Sequence, residues 1–457
     1  MEREHGSSWT KAVATAITVA CVSWLAAVGP SRAQTPVPAG GEFQVNTYTT
    51  DAQATPFVAA EPDGDFVVVW RSDGSSGSDA SSFSVQGQRY DSAGSALGSE
   101  FQVNTYTTNG QVWPAVAVAG DGDFVVVWAS AGSSGSDRSE NSIHGRRYTS
   151  DGTALGAQFQ VNTETLGFQE FPSVAVDADG DFVVVWTDGF DVEGQRYDSA
   201  GNGVGSEFQV STAFPTFDEA PSVAAEPDGD FVVVWRSLGL PYDYLIEGRR
   251  YASDGTPQSA EFQINTYSEP IERSPWVAAE ADGDFVVVWD SLAGLNDYDI
   301  KGRRYASDGT AQGPELQVNT YTADFQFGPA VAADADGDFV VVWTSFGSSG
   351  SDANHSIQGQ RYDSAGSRVG SEFQVNTYTT GFQGYPSVAA RADGDFVVAW
   401  QSGGSYNSAG QDGSFASIQA QRFTVPESSP ALSRTLAAVV LALLVRGRRS
   451  RARGPSK

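Results

Sequence analysis

Cysteine is nearly absent from this chain of 457 residues: its one copy, Cys21, lies in an apolar stretch near the N-terminus. The rest of the chain offers no disulfide, thiol nucleophile or cysteine metal ligand. Histidine is scarce too. Beyond residue 33 only His144 and His355 occur, with neither metal nor triad spacing, and both are expected at the surface. Positive charge is short: 27 Lys and Arg stand against 56 Asp and Glu, a formal net charge of −29. That excess repels nucleic acid and anionic membranes, and leaves cations and cationic partners open. Long hydrophobic runs are missing as well. The two apolar stretches, 12–28 and 436–445, fall short of the roughly 20 residues a helical span needs.

Those stretches define the ends. Arg3 and Lys11 precede the first, and Ser31-Arg32-Ala33 follows it, so residues 1–33 read as a secretory signal peptide cleaved after Ala33. An uncleaved anchor is the alternative. At the other end, Val425-Pro426-Glu427-Ser428 precedes the second stretch, and Arg446, Arg448, Arg449, Arg451 and Arg453 follow it. This layout resembles the PEP-CTERM class of bacterial sorting tails, with Ser428 where the class has a second Pro. The resemblance implies removal by a membrane protease of the exosortase type; a plain C-terminal anchor is the other reading. Both readings place the body outside the cell, with any membrane contact made only through residues 426–457.

Between the ends, residues 34–425 are a repeat. Asp-Gly-Asp-Phe-Val-Val-Val-Trp recurs seven times, ending at Trp70, Trp128, Trp186, Trp235, Trp289, Trp343 and, with one Ala, Trp400. Each copy reads as four strands. A first strand opens on a Pro, as in Pro172-Ser-Val-Ala-Val176, and an Asp-Gly turn of two-residue hairpin type leads to Phe-Val-Val-Val-Trp. That second strand is apolar on both faces and must be covered on both. A third strand (Ile143-His-Gly-Arg-Arg-Tyr148) and a half-buried fourth (Glu100-Phe-Gln-Val-Asn-Thr105) complete the unit. The body begins with a fourth strand at Glu42 and ends with a third at Phe423. The fold expected is therefore all-β: a seven-bladed β-propeller of four-stranded antiparallel blades, closed where the N-terminal strand completes the last blade. It is expected to be monomeric.

Length varies in one place. From each Trp to the third-strand Gly (Ala420 in the last copy) the spans are 17, 17, 8, 13, 13, 16 and 20 residues, whereas from that Gly to the next Trp the spacing is always 41. One face of the ring thus carries variable hairpins, together with the loops that join blades, and this is where binding is expected. The joining segments on that face are aromatic: Trp113, Phe168, Phe171, Phe214, Phe217, Phe325, Phe327, Phe382 and Tyr385. Trp113, Phe171, Phe217, Phe327 and Tyr385 are the candidate binding residues, since flat rings stack on sugar faces. The competing reading is a lid over the core. The Ser/Gly-rich hairpins read as solvated connectors.

The other candidates have plainer readings beside them. Asp177, Asp179 and Asp181, and likewise Asp334, Asp336 and Asp338, resemble the opening of a calcium loop. The chain runs at once into a strand, so a hairpin turn with at most weak Ca2+ binding is expected, and no other cofactor. Arg89, Arg147, Arg196, Arg250, Arg304, Arg361 and Arg422 recur once per copy and read as structural, paired with a repeated carboxylate such as the Asp before each Phe. No carboxylate pair stands out as that of a glycosidase.

The repeat itself (Glu-Phe-Gln-Val-Asn-Thr-Tyr-Thr-Thr, Asp-Gly-Asp-Phe-Val-Val-Val-Trp, Gly-Gln-Arg-Tyr-Asp) resembles modules of large exported bacterial proteins. That resemblance implies address and architecture. Two functions are consistent with it: a surface or secreted module that binds glycan or protein, or has a structural role in a matrix, and a propeller enzyme that hydrolyses or lyses polysaccharide. Near-identical blades favour binding, since an active site demands local asymmetry.

Overall fold

A short loop with one left-handed glycine shapes every blade. In the first copy the Glu61 amide donates to the Asp65 carbonyl at 2.7 Å and the Gly64 amide to the Glu61 carbonyl at 3.0 Å, with Gly64 at φ 97°. This is a three-residue loop closed on Glu61 and Asp65, not the two-residue turn that the Asp-Gly pair suggests. Glycine takes the left-handed position after a type I turn, so one further residue is needed to return the chain. The loop between third and fourth strands repeats the design at Asp91, Gly94 and Ser95.

The computed structural model describes residues 35–426 apart from 76, 80–81, 133–140, 166, 213–216, 240–242, 267–270, 293–297, 348–354 and 405–408. The signal peptide, Phe214, parts of the Ser/Gly-rich hairpins and the tail beyond Pro426 lie outside the described residues. Within them stand seven antiparallel sheets, one per repeat, six of them running in chain order from first to fourth strand. Blade one, for example, is Gln53–Ala60, Phe66–Asp73, Phe83–Tyr90 and Ala96–Gln102. First strands pack against first strands around the ring, and that of blade seven (Gln383–Ala390) meets that of blade one. Blade seven's third strand, Ala416–Thr424, pairs with two N-terminal pieces, Val37–Pro38 and Phe43–Gln44, with Phe43 opposite Ala420. The chain therefore closes as a seven-bladed propeller.

The second strands are buried on both faces, and all seven Trp side chains are fully enclosed. Each Phe of that strand stacks on the aromatic that ends the third strand, as Phe66 does on Tyr90 at 5.0 Å and Phe124 on Tyr148 at 4.8 Å. The third-strand Gly faces the Phe of the fourth: a Cβ at Gly87 would come within 2.7 Å of Phe101 Cζ. Neighbouring blades are clamped by two residues of the fourth strand. Glu100 Oε2 accepts from the Thr47 amide at 2.6 Å and the Thr47 hydroxyl at 2.7 Å. Six further pairs repeat this contact, one of them, Glu42 with Thr377, at the closure.

Candidate functional site

The first strand of each blade is broken at one point. Its ladder shifts register just before the Pro, as between Glu170 and Ser173 in blade three. The residue before the Pro is left-handed in all seven copies: Thr55, Trp113, Phe171, Ala220, Ser274, Gly328 and Tyr385 have φ between 50° and 60°. Six of the seven are not glycine, and each such residue costs on the order of 1–3 kcal/mol. Proline has no amide to give the ladder, so the bulge sits where pairing is already lost. Backbone geometry is constant here while the side chain ranges from nothing to indole.

The residue after each Trp completes the position. Thr187 Oγ1 accepts the Ala220 amide and Thr344 Oγ1 the Tyr385 amide, each at 3.1 Å, so this residue meets the bulge of the following blade. Across the copies it is Arg71, Ala129, Thr187, Arg236, Asp290, Thr344 and Gln401. Deeper in the ring, Phe57 of blade one stacks on Trp276 of blade five at 5.4 Å. Those blades are not neighbours, so the pair crosses the central channel and leaves a mouth above it.

That mouth holds a cavity of about 610 Å³ between blades five, six and seven. Phe325, Phe327, Phe346, Phe382 and Tyr385 form much of its wall, with Arg273, Asp290 and His355 among them. Arg273 lies over the Tyr298 ring at 5.3 Å. Asp290 is 3% exposed, and its Oδ1 has no hydrogen-bond partner among the described residues. Burial pushes its carboxyl up; the Ser274 hydroxyl, the Arg273 charge and the Gly328 amide act the other way. His355 packs on Phe346 at 4.6 Å and Phe382 at 4.9 Å, and burial lowers its imidazole to about 4, so it is neutral here.

The five candidate aromatics divide into three places. Trp113, Phe171 and Tyr385 occupy bulges and Phe327 precedes one, within first strands rather than the loops before them. Phe327 and Tyr385 share the cavity, edge-on at 6.5 Å. Trp113 and Phe171 pair with each other at 4.4 Å, and Phe217 meets Phe190 at 4.6 Å. Both histidines are buried, against the surface placement expected. His144 lies beside Trp128, its ring Nε2 at 3.1 Å from Ser142 Oγ. Each occupies a third strand sandwiched between blades, where the imidazole packs as an aromatic.

On the opposite face, Asp177 Oδ1 accepts the amides of Asp179 and Asp181, and Asp334 Oδ1 those of Asp336 and Asp338. Burial, then the Asp338 charge, pushes Asp334 up to about 6. The carboxylates that do converge within 4.8 Å include Glu226, Asp228 and Asp230, and Glu280, Asp282 and Asp284. There Arg250 pairs with Glu226 at 2.8 Å and Arg304 with Glu280 at 3.6 Å. The repeated Arg therefore takes the first acid of the string in these two blades. Among the described residues, Arg361 of this series lies near the Asp before Phe, Asp338, at 3.7 Å. Arg89, Arg147 and Arg196 instead donate to carbonyls of the next blade's turn. The Asp before Phe serves elsewhere, as Asp65 Oδ1 does by accepting the Ser92 amide.

Fold and site together define a seven-bladed β-propeller with an asymmetric mouth. No protein-family model matches the chain, and no curated protein matches it. Among solved structures it is similar to a protein of unknown function from Dyadobacter fermentans, at 11% identity over 84% of this chain and 99% of that one, with a TM-score of 0.50. It is also similar to an α-L-arabinanase of Penicillium chrysogenum complexed with arabinobiose, at 13% identity over 72% and 99%, with a TM-score of 0.47. At these identities the likeness is one of fold alone.

Proposed function

We propose that the protein binds a glycan in the mouth cavity between blades five, six and seven. One observation carries the reading. Asp290 presents a buried carboxylate oxygen without a hydrogen-bond partner among the described residues, in a cavity walled by aromatic rings. Buried acceptors are ordinarily paired, and a sugar hydroxyl supplies the missing donor while a ring face takes the sugar's C–H face. The leader and tail support export, so the ligand is a polymer met outside the cell; secretion of the full-length chain, followed by fractionation, tests that step. A screen of soluble glycans by isothermal titration tests the binding. Binding by the native protein, weakened about tenfold or more by Tyr385→Ala and by Asp290→Asn, is expected. Unchanged affinity in both variants refutes the assignment.

A specific observation also favours a polysaccharide hydrolase or lyase. Asp290 is the only acid among the seven residues that follow the repeated Trp, and burial raises its carboxyl toward the range of a general acid. Release of reducing ends from a bound polysaccharide, abolished by Asp290→Asn, would establish this reading over binding alone.

A further inference from the structure

Blade three has the shortest of the variable hairpins, a turn of Gly189 and Phe190 between the paired residues Asp188 and Asp191. It leaves three phenyl rings in solvent: Phe190 is 61% exposed, Phe168 50% and Phe217 45%. They are held in place by the backbone. The Gly189 amide donates to the Phe168 carbonyl at 3.0 Å, and the Asp218 amide to the Phe190 carbonyl at 2.9 Å. Phe190 and Phe217 meet edge-to-face at 4.6 Å. Exposed aromatics fixed this way by strand pairing lose little freedom on binding.

The rim of this patch is acidic. The charges that act on Glu193 are Glu207, Asp188 and Asp191, and those on Asp188 are Glu207, Glu164 and Asp191. No Lys or Arg stands among them. Burial, then this crowding, pushes the Glu193 carboxyl up to about 8. We infer that the tip of blade three is a docking site for a protein segment that presents arginine or lysine beside aliphatic side chains. The cation answers the carboxylate rim, and its apolar stem and neighbours cover the phenyl rings. A second copy of this acidic patch would bring like charges together. A neutral polysaccharide would cover the rings but leave the charge of the rim unanswered.

The test uses the purified protein and two labelled six-residue peptides, one alternating arginine and leucine, the other glutamate and leucine, read by fluorescence anisotropy. The arginine peptide is expected to bind at least about tenfold tighter at low salt, with the advantage shrinking as salt rises. Phe190→Ser and Asp191→Asn each weaken it by about fivefold or more, with the melting temperature unchanged because both side chains lie at the turn. Tyr385→Ala, in the glycan cavity, leaves peptide binding as it was. Equal binding of the two peptides, or none, overturns the proposal, as does wild-type affinity in Phe190→Ser. Displacement of the arginine peptide by a glucosamine hexamer also overturns it, in favour of a cationic polysaccharide.

Discussion

Removal of the Glu42 carboxylate tests how the ring is closed. Glu42 Oε2 accepts from the Thr377 amide and the Thr377 hydroxyl, both at 2.7 Å, across a sequence separation of 335. Hydrogen bonds to a charged group contribute about 1.5–3 kcal/mol, and partial exposure brings this contact to about 1–2 kcal/mol. Six equivalent clamps join segments that the chain also links directly; this one joins blade six to the N-terminal segment, which only pairing and packing hold to blade seven. Glu42→Ala is therefore expected to lower the unfolding free energy by about 1–2 kcal/mol in urea, followed by fluorescence of the seven buried tryptophans. It should also speed amide exchange in Ala416–Thr424, the strand that the N-terminal segment covers. Glu207→Ala, at the covalently linked Thr163 joint, should cost a similar amount globally without that local opening. Glu42→Gln is the decisive control, because Gln158 makes the same contact to Thr105 at 2.6 Å and 2.8 Å. If Glu42→Gln falls as far as Glu42→Ala, or if Glu42→Ala is silent, the clamp does not close the ring.

Two further outcomes follow from buried and strained positions. Glu272 is buried where five blades carry Gln (Gln53, Gln111, Gln169, Gln326 and Gln383), and burial raises its carboxyl to about 8. The folded state thus keeps a proton that the unfolded chain releases near 4.5, so stability falls as pH rises between those values; Glu272→Gln should raise the melting temperature at pH 8.5 and change it little at pH 4.5. Ala220, left-handed at φ 52°, stands where blade six has Gly328. Ala220→Gly should stabilise by about 0.5–1 kcal/mol and Gly328→Ala should cost about as much, by urea titration; the opposite signs would show that the bulge is unstrained.

The frame was legible because its physics is local and repeated. A doubly apolar strand next to an Asp-Gly loop, copied seven times with a constant spacing of 41, leaves little architecture open. What stayed hidden depends on contacts between copies. Nothing in Glu-Phe-Gln-Val-Asn-Thr says that its Glu reaches the Thr of the previous copy about 50 residues away, because alternation reports only which side chains are covered. The histidines misled for a related reason: scarcity and polarity suggest surface, yet an imidazole ring fits between blades. Asp290 carried a readable signal, as the one acid following a repeated Trp, but a single substitution after a near-constant string does not show that it lies in a cavity.

A symmetric repeat acquires a singular site through single substitutions. The seven bulges share one backbone geometry, φ between 50° and 60°, so the frame does not choose the residue that stands there. On conformational grounds glycine suits every copy, and only Gly328 is one. Trp113, Phe171 and Tyr385 are large side chains kept in a conformation that disfavours them, at positions facing the mouth or each other. Strain of that kind persists where the surrounding structure imposes it and something other than stability retains the side chain. The cavity forms where the ring is least uniform: Gly328 opens space, Ser274 and Arg273 bring polar groups, and Asp290 replaces the Thr that closes the same gap in blades three and six. A site built this way requires no change to the repeat's strands or loops, only substitutions at the bulge, just before it and just after the Trp.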